Sequence, residues 1–144
     1  MIAAPDVPPA PPARLRPADV PRLARIGAGL LAYRVLARRV SVPRLMRSFD
    51  GPAGRATGPA DAERLVWLVD RTLGRLGWRD ACLPRSLVLF RGLRRAGHAP
   101  RVCVGVARAR GVLRGHAWLE LGGRPFAEAC DPYADFRVLY AYPA

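Results

Sequence analysis

Two periods divide the chain. Up to Gly97 apolar residues recur at helical spacing, and beyond it they alternate. Leu23, Ile26, Leu30, Leu31, Val35 and Leu36 form one stripe, which predicts a helix from about Asp19 to Arg39. Pro21 falls in its first turn, where a missing N–H costs nothing. After Ser41-Val42-Pro43, a short helix carries Leu45, Met46 and Phe49, and Asp50-Gly51-Pro52-Ala53-Gly54 reads as a loop. A third helix follows Thr57-Gly58-Pro59, with Asp61 and Glu63 in its first turns and Gly77 at its end. Leu65, Leu68, Val69, Leu73 and Leu76 are its core stripe. The fourth opens at Cys82-Leu83-Pro84 and buries Leu83, Leu87, Phe90 and Leu93; Arg94 and Arg95 fill its last turn, and Gly97 stops it.

Beyond Gly97, Val102, Val104 and Val106 mark a strand, Arg108-Ala109-Arg110-Gly111 a turn, and Val112 to Leu121 a second strand. Gly122-Gly123 is a hairpin turn into a third strand from Arg124 to about Glu128, and residues 136–142 supply another. Helices followed by an antiparallel sheet make the fold α+β. Residues 1–16 are a Pro/Ala-rich tail, expected to be flexible. Residues 17–144 are expected to form one domain, with 17–56 as accessory helices and 57–144 as its core.

Composition narrows the function. The net charge of +13 would suit a nucleic-acid or membrane-surface binder. Yet every basic residue is Arg, the chain has no Lys, Asn or Gln, and no arginine run exceeds two. That pattern fits a GC-rich coding bias, so an acidic protein or peptide is at least as good a partner as a polyanion, and no nucleic acid is expected. Arg22, Arg25 and Arg34 on the first helix are the candidate docking residues. The cysteines are Cys82, Cys103 and Cys130, an odd count without a disulfide framework. No CxxC pair or histidine spacing suggests a metal, and no secretory signal or long apolar run appears. No metal or cofactor and a cytoplasmic location are the expectations.

The candidate chemistry starts from Cys82. A thiol at a helix start meets unpaired backbone N–H groups and the positive end of the helix dipole, both of which favour the nucleophilic thiolate. A thiolate needs a base. His98 lies in a Gly-His-Ala-Pro loop and is expected to be solvated, which leaves His116, inside Gly115-His116-Ala117-Trp118. A third group should orient the imidazole. A three-residue loop over Leu121-Gly122-Gly123 would pair Glu120 with Arg124, Trp118 with Phe126 and His116 with Glu128, each a favourable neighbour. A tighter two-residue turn would set His116 against Ala129. Glu128 is therefore the expected orienter and Asp131 the alternative acid. The Cys82 N–H is the first oxyanion donor; Arg85, Ser86 or another backbone amide could be the second. Trp118, with Trp67, Trp78 and Phe90, could line a substrate groove or pack in the core.

Cys82-Leu83-Pro84-Arg85-Ser86-Leu87, Val104-Gly105-Val106, His116-Ala117-Trp118-Leu119-Glu120 and Gly123-Arg124-Pro125 together resemble the lasso-peptide leader peptidases. These are the stand-alone peptidase half of the split B-type maturation protein, with a transglutaminase-like, papain-related core. The resemblance covers residues 60–130. It implies a Cys82 nucleophile, a His116 base and an acid at Glu128, where the family commonly has Asp. It also implies a precursor peptide as substrate, a small leader-binding partner that presents it, and an ATP-dependent cyclase that receives the product. A transglutaminase-like acyltransferase or amidase on the same residues, and a non-catalytic basic adaptor binding peptide or nucleic acid, are the rival classes.

Overall fold

The computed structural model describes residues 14–144. The expected tail therefore falls mostly outside the described residues. Its last part is anchored, because Arg64 Nη2 donates to the Arg14 carbonyl at 2.8 Å.

Four helices precede a four-stranded sheet: α1 (Val20–Leu36), α2 (Val42–Ser48), α3 (Pro59–Arg75), α4 (Cys82–Arg95), β1 (Arg101–Ala109), β2 (Val112–Leu121), β3 (Arg124–Phe126) and β4 (Arg137–Tyr142). The sheet order is β3-β2-β1-β4, antiparallel throughout. The α+β expectation holds. Prolines stand in the first turns of α1, α2 and α3, as their fixed φ dictates. α1 ends at Leu36, short of the expected Arg39. Asp19 stands at its N-cap without a side-chain capping bond; its carboxylate instead accepts from Arg64 of α3 and from the Arg16 N–H.

α4 is the centre of the molecule. Leu87, Leu89, Phe90 and Leu93 are fully buried, between α1 and α3 on one side and Val102 and Leu119 of the sheet on the other. Truncating any one of these leucines to alanine would cost about 2–5 kcal/mol. The loop after α2 is docked on the end of α4: Gly54 N donates to Arg94 O at 3.0 Å and Thr57 N to Ala96 O at 2.9 Å. A side chain at Gly54 would put its Cβ 1.7 Å from the Arg95 carbonyl oxygen, so only glycine fits there.

Strand alternation separates two faces of β2. Leu119 joins the helical core, whereas His116 and Trp118 look the other way, toward Phe136. A 3-10 turn at Pro132–Ala134 brings Tyr133 edge-on to Trp118, with ring centroids 5.4 Å apart. The sheet is thus covered on both sides, and residues 117–120 are buried without alternation.

The hairpin register differs from the expected one. Leu119 faces Phe126, Glu120 faces Pro125 and Leu121 faces Arg124, the pattern of a two-residue turn. Gly122 and Gly123 both have positive φ, 61° and 76°, so they form the tight turn whose twist matches the strands. The favourable side-chain pairs of the longer loop could not outweigh that backbone preference. Glu120 pairs with Arg101 across β1 instead of Arg124, at 3.4 Å.

Candidate active site

Cys82 is the first residue of α4 and is half-buried. Two residues earlier Asp80 has φ 54°, a left-handed conformation that a non-glycine residue rarely adopts, and it turns the chain into the helix. Pro84 has no N–H, and Arg85 N donates to Ala81 O at 2.9 Å. The Cys82 and Leu83 N–H groups therefore remain free at the helix start among the described residues. Tyr33 of α1 packs on Trp78 (centroids 6.3 Å apart) close to the thiol. Burial first, and the charge of Cys82 second, push the Tyr33 hydroxyl above its usual range. Arg34 lies over the same indole at 6.0 Å.

His116 sits opposite Gly105 on β2, its ring stacked on Trp118 with a 19° interplanar angle. His116 Nε2 and Glu128 Oε2 are 3.0 Å apart. This pair exists even though the register that suggested it does not. β3 ends at Phe126, Ala127 takes φ 57°, and the chain swings out of the sheet so that Glu128 reaches the ring from outside the ladder. Nε2 is occupied by Glu128, so Nδ1 is the ring nitrogen left for proton transfer.

Arg85, a candidate oxyanion or substrate residue, has another position. Its Nε lies 2.6 Å from Asp70 Oδ1, its Nη2 donates to the Ala127 carbonyl at 3.1 Å, and its Nη1 is 3.5 Å from Glu128 Oε1. One guanidinium thus ties α3, α4 and the turn bearing Glu128. Ser86 is fully buried and its hydroxyl donates to Ala117 O at 3.1 Å, which rules it out as a substrate contact. Trp118 and Phe90 are also fully buried and pack rather than line a groove. Asp131, the alternative acid, is exposed and accepts from Tyr133 N at 3.0 Å, capping the 3-10 turn. His98 is only half-exposed; its N–H closes the far end of α4 on Leu93 O at 3.0 Å, and its Nε2 is shielded from solvent. Cys103 is buried, which pushes its thiol up, and Cys130 is exposed.

The structure brings His116, Glu128 and Arg85 together and fastens them to the first turn of the Cys82 helix at two points, Ser86–Ala117 and Arg85–Ala127. Cys82 Sγ makes no hydrogen bond with any described residue, His116 included. Trp67 stacks under Arg64 and Arg71, at 4.3 and 5.2 Å from its ring centre. Sequence reasoning missed Asp70 and Tyr33. Nothing in the linear pattern ties Asp70 to Arg85 or Tyr33 to Cys82.

The docking candidates divide. Arg22 pairs with Asp61 at 2.7 Å, Arg25 lines a groove beside it, and Arg34 lies at the other end of α1. No group of three His, Cys, Asp or Glu among the described residues could hold a metal ion. No helix among them is long and apolar enough to cross a membrane.

A family model described as the transglutaminase-like superfamily matches residues 27–141, a span that contains Cys82, His116 and Glu128. The chain belongs to that superfamily. No curated protein and no solved structure matches it.

Proposed function

We propose that this protein is a cysteine peptidase that removes the leader from a ribosomally made lasso precursor peptide. The observation that carries the reading is the 3.0 Å contact of His116 Nε2 with Glu128 Oε2, on a strand tied to the first turn of the Cys82 helix. In this mechanism His116 Nδ1 takes the Cys82 proton and Sγ attacks the carbonyl carbon at the leader–core junction. The free Cys82 and Leu83 N–H groups meet the oxyanion. The intermediate collapses to a thioester, and His116 gives its proton to the departing core amine. Water then loses a proton to His116, attacks the thioester, and returns the thiol and a leader carboxylate. Substrate binding draws Sγ and Nδ1 into contact, since such bonds are often long before substrate arrives. A small leader-binding protein presents the peptide, and an ATP-dependent cyclase receives the freed core, all in the cytoplasm.

The test is incubation with a precursor peptide and its leader-binding protein, read by intact mass. Cleavage into leader and core by wild type, and none by Cys82→Ala or His116→Ala, is the expected result. An uncut precursor, or equal cleavage by Cys82→Ala, overturns the reading. Membership of the transglutaminase-like superfamily supports one second reading, an acyltransferase on the same thioester. An added primary amine would then appear in the leader product as an amide in place of the acid. A non-catalytic adaptor would bind its partner with steep salt dependence and be indifferent to Cys82→Ala.

A further inference from the structure

A concavity lies away from the thiol, between the first half of α1 and the second half of α4. Two adjoining cavities of about 200 and 230 Å³ share Arg25, Gly29, Arg91 and Arg95. Ile26, Leu65 and Val88 line the first of them, so its floor is aliphatic. Arg22 stands at its edge with its charge answered by Asp61. Arg25, Arg91 and Arg95 have no carboxylate or hydrogen-bond acceptor among the described residues. They stand within each other's fields: burial first, then Arg91 and Arg25, hold the Arg95 guanidinium below its ordinary value. Mutually repelling cations converging on an aliphatic floor destabilise the free protein, and an anion with an apolar part relieves both features.

We infer that this groove binds an acidic peptide segment, its carboxylates on Arg25, Arg91 and Arg95 and an aliphatic side chain on the floor of Ile26, Leu65 and Val88. A guanidinium matches a carboxylate with two parallel hydrogen bonds. The first cavity offers no aromatic ring on which a nucleobase could stack, which favours a peptide over a nucleic acid. The identity of that peptide as the leader part of the substrate rests on the peptidase reading. Geometry supports the assignment. α4 runs from the thiol at Cys82 to the groove at Val88–Arg95, a distance of about 9–20 Å at ~1.5 Å per residue. An extended peptide spans it with about three to six residues at ~3.3 Å each, so the recognised acids lie that far from the scissile bond.

The probe is a fluorescein-labelled peptide of repeating Glu-Leu-Glu units, with a Gln-Leu-Gln peptide as its uncharged twin. Binding is read by anisotropy on the full chain carrying Cys82→Ser. The protein is compared with and without R91Q/R95Q, and with R108Q/R110Q at the exposed β1–β2 turn as the charge control. The groove variant should bind the acidic peptide at least about tenfold more weakly, the loss of one charge-assisted contact. The control should stay within about twofold, and the uncharged twin should bind no better than the groove variant does. Equal binding by the groove variant overturns the inference. So does an equal loss in the control, which would mark a diffuse charge effect. Inorganic phosphate at millimolar concentration displacing the peptide from all proteins alike would indicate a small-anion site and also overturn it. R91Q/R95Q should unfold no earlier than the parent, since these arginines have no partners to lose and their repulsion is relieved, and R108Q/R110Q should match the parent. The two proposals fail separately. Cys82-dependent cleavage unaffected by R91Q/R95Q leaves the peptidase and removes the groove; peptide binding lost in R91Q/R95Q beside Cys82-independent cleavage does the reverse.

Discussion

Glu128 offers the sharpest test of the site, because its contact with His116 was expected for one reason and forms for another. Consider Glu128→Gln and Glu128→Ala. When a proton passes from Cys82 to His116, an imidazolium faces a carboxylate oxygen 3.0 Å away. A pair at that distance in an effective dielectric near 20 would attract by about 5–6 kcal/mol. Two features of the site reduce this. Arg85 Nη1, 3.5 Å from the other carboxylate oxygen, already offsets part of the charge. The His116 side chain is 27% exposed, so water screens the pair. What remains is a charge-assisted hydrogen bond, about 1.5–3 kcal/mol against about 1 for a neutral one. Glutamine keeps a neutral acceptor and should cost the difference, about 0.5–2 kcal/mol or 2- to 30-fold. Alanine leaves Nε2 unpaired and should cost about 2–3 kcal/mol, or 30- to 150-fold.

The assay needs no substrate: iodoacetamide alkylation of each cysteine, followed by peptide mass spectrometry from about pH 5 to 8, which brackets the ordinary imidazole range. The comparison is made at the neutral end of that range, where Cys82 and His116 share one proton and the rate follows the share present as thiolate–imidazolium, the form in which the Glu128 contact is gained. Cys130, exposed, and Cys103, buried, are the internal controls. The expected order of Cys82 rates is wild type, then Glu128→Gln, then Glu128→Ala, with Asp131→Asn equal to wild type. A Glu128→Ala rate within about threefold of wild type, less than one neutral hydrogen bond, would refute the assignment of Glu128 as the orienter. A comparable loss in Asp131→Asn would do the same.

Other outcomes follow from single contacts. Arg85→Met should slow Cys82-dependent cleavage by about tenfold or more through release of the Glu128 turn; it acts by position, so added guanidinium should restore part of the rate, and an unaffected kcat/KM would show that the turn holds without the contacts Arg85 makes to Asp70 and Ala127. Gly54→Ala should destabilise the fold by about 1–3 kcal/mol in urea unfolding, because its Cβ meets a backbone oxygen that cannot yield, and an unchanged midpoint would mean the loop is not docked on α4. Asp19 has its carboxyl lowered to about 2, by the Arg64 hydrogen bond first and the Arg16 N–H next. A depressed carboxyl lends stability above its unfolded value, and that stability is lost as pH falls through the folded one. Stability should therefore decline from about pH 4 to 2, and Asp19→Asn should be less stable at neutral pH and flatter across that window; parallel curves would contradict the pairing.

Local chemistry decided much of this molecule before any tertiary contact. The spacing of Leu83, Leu87, Phe90 and Leu93, with Pro84 inside and Gly97 beyond, sets the limits of α4 and leaves Cys82 at its start, since these are interactions within one turn. Val102, Val104 and Val106 fix a strand by the same logic of neighbours. The double glycine determined a hairpin, yet side-chain pairing suggested the wrong register, because a two-residue turn with both φ values positive outweighs a few cross-strand pairs. Only the tertiary structure decided the partners. Arg85 meets Asp70 and Glu128, and Ser86 meets Ala117, because α4 lies against both α3 and β2. Glu128 reaches His116 because Ala127 turns the chain out of the sheet. Those contacts join residues 12 to 43 positions apart in sequence, as the pairs 116 with 128 and 85 with 128 show by subtraction. Their geometry is set by how a buried helix packs on a sheet, and a linear pattern carries each residue's chemistry without its distance from the others.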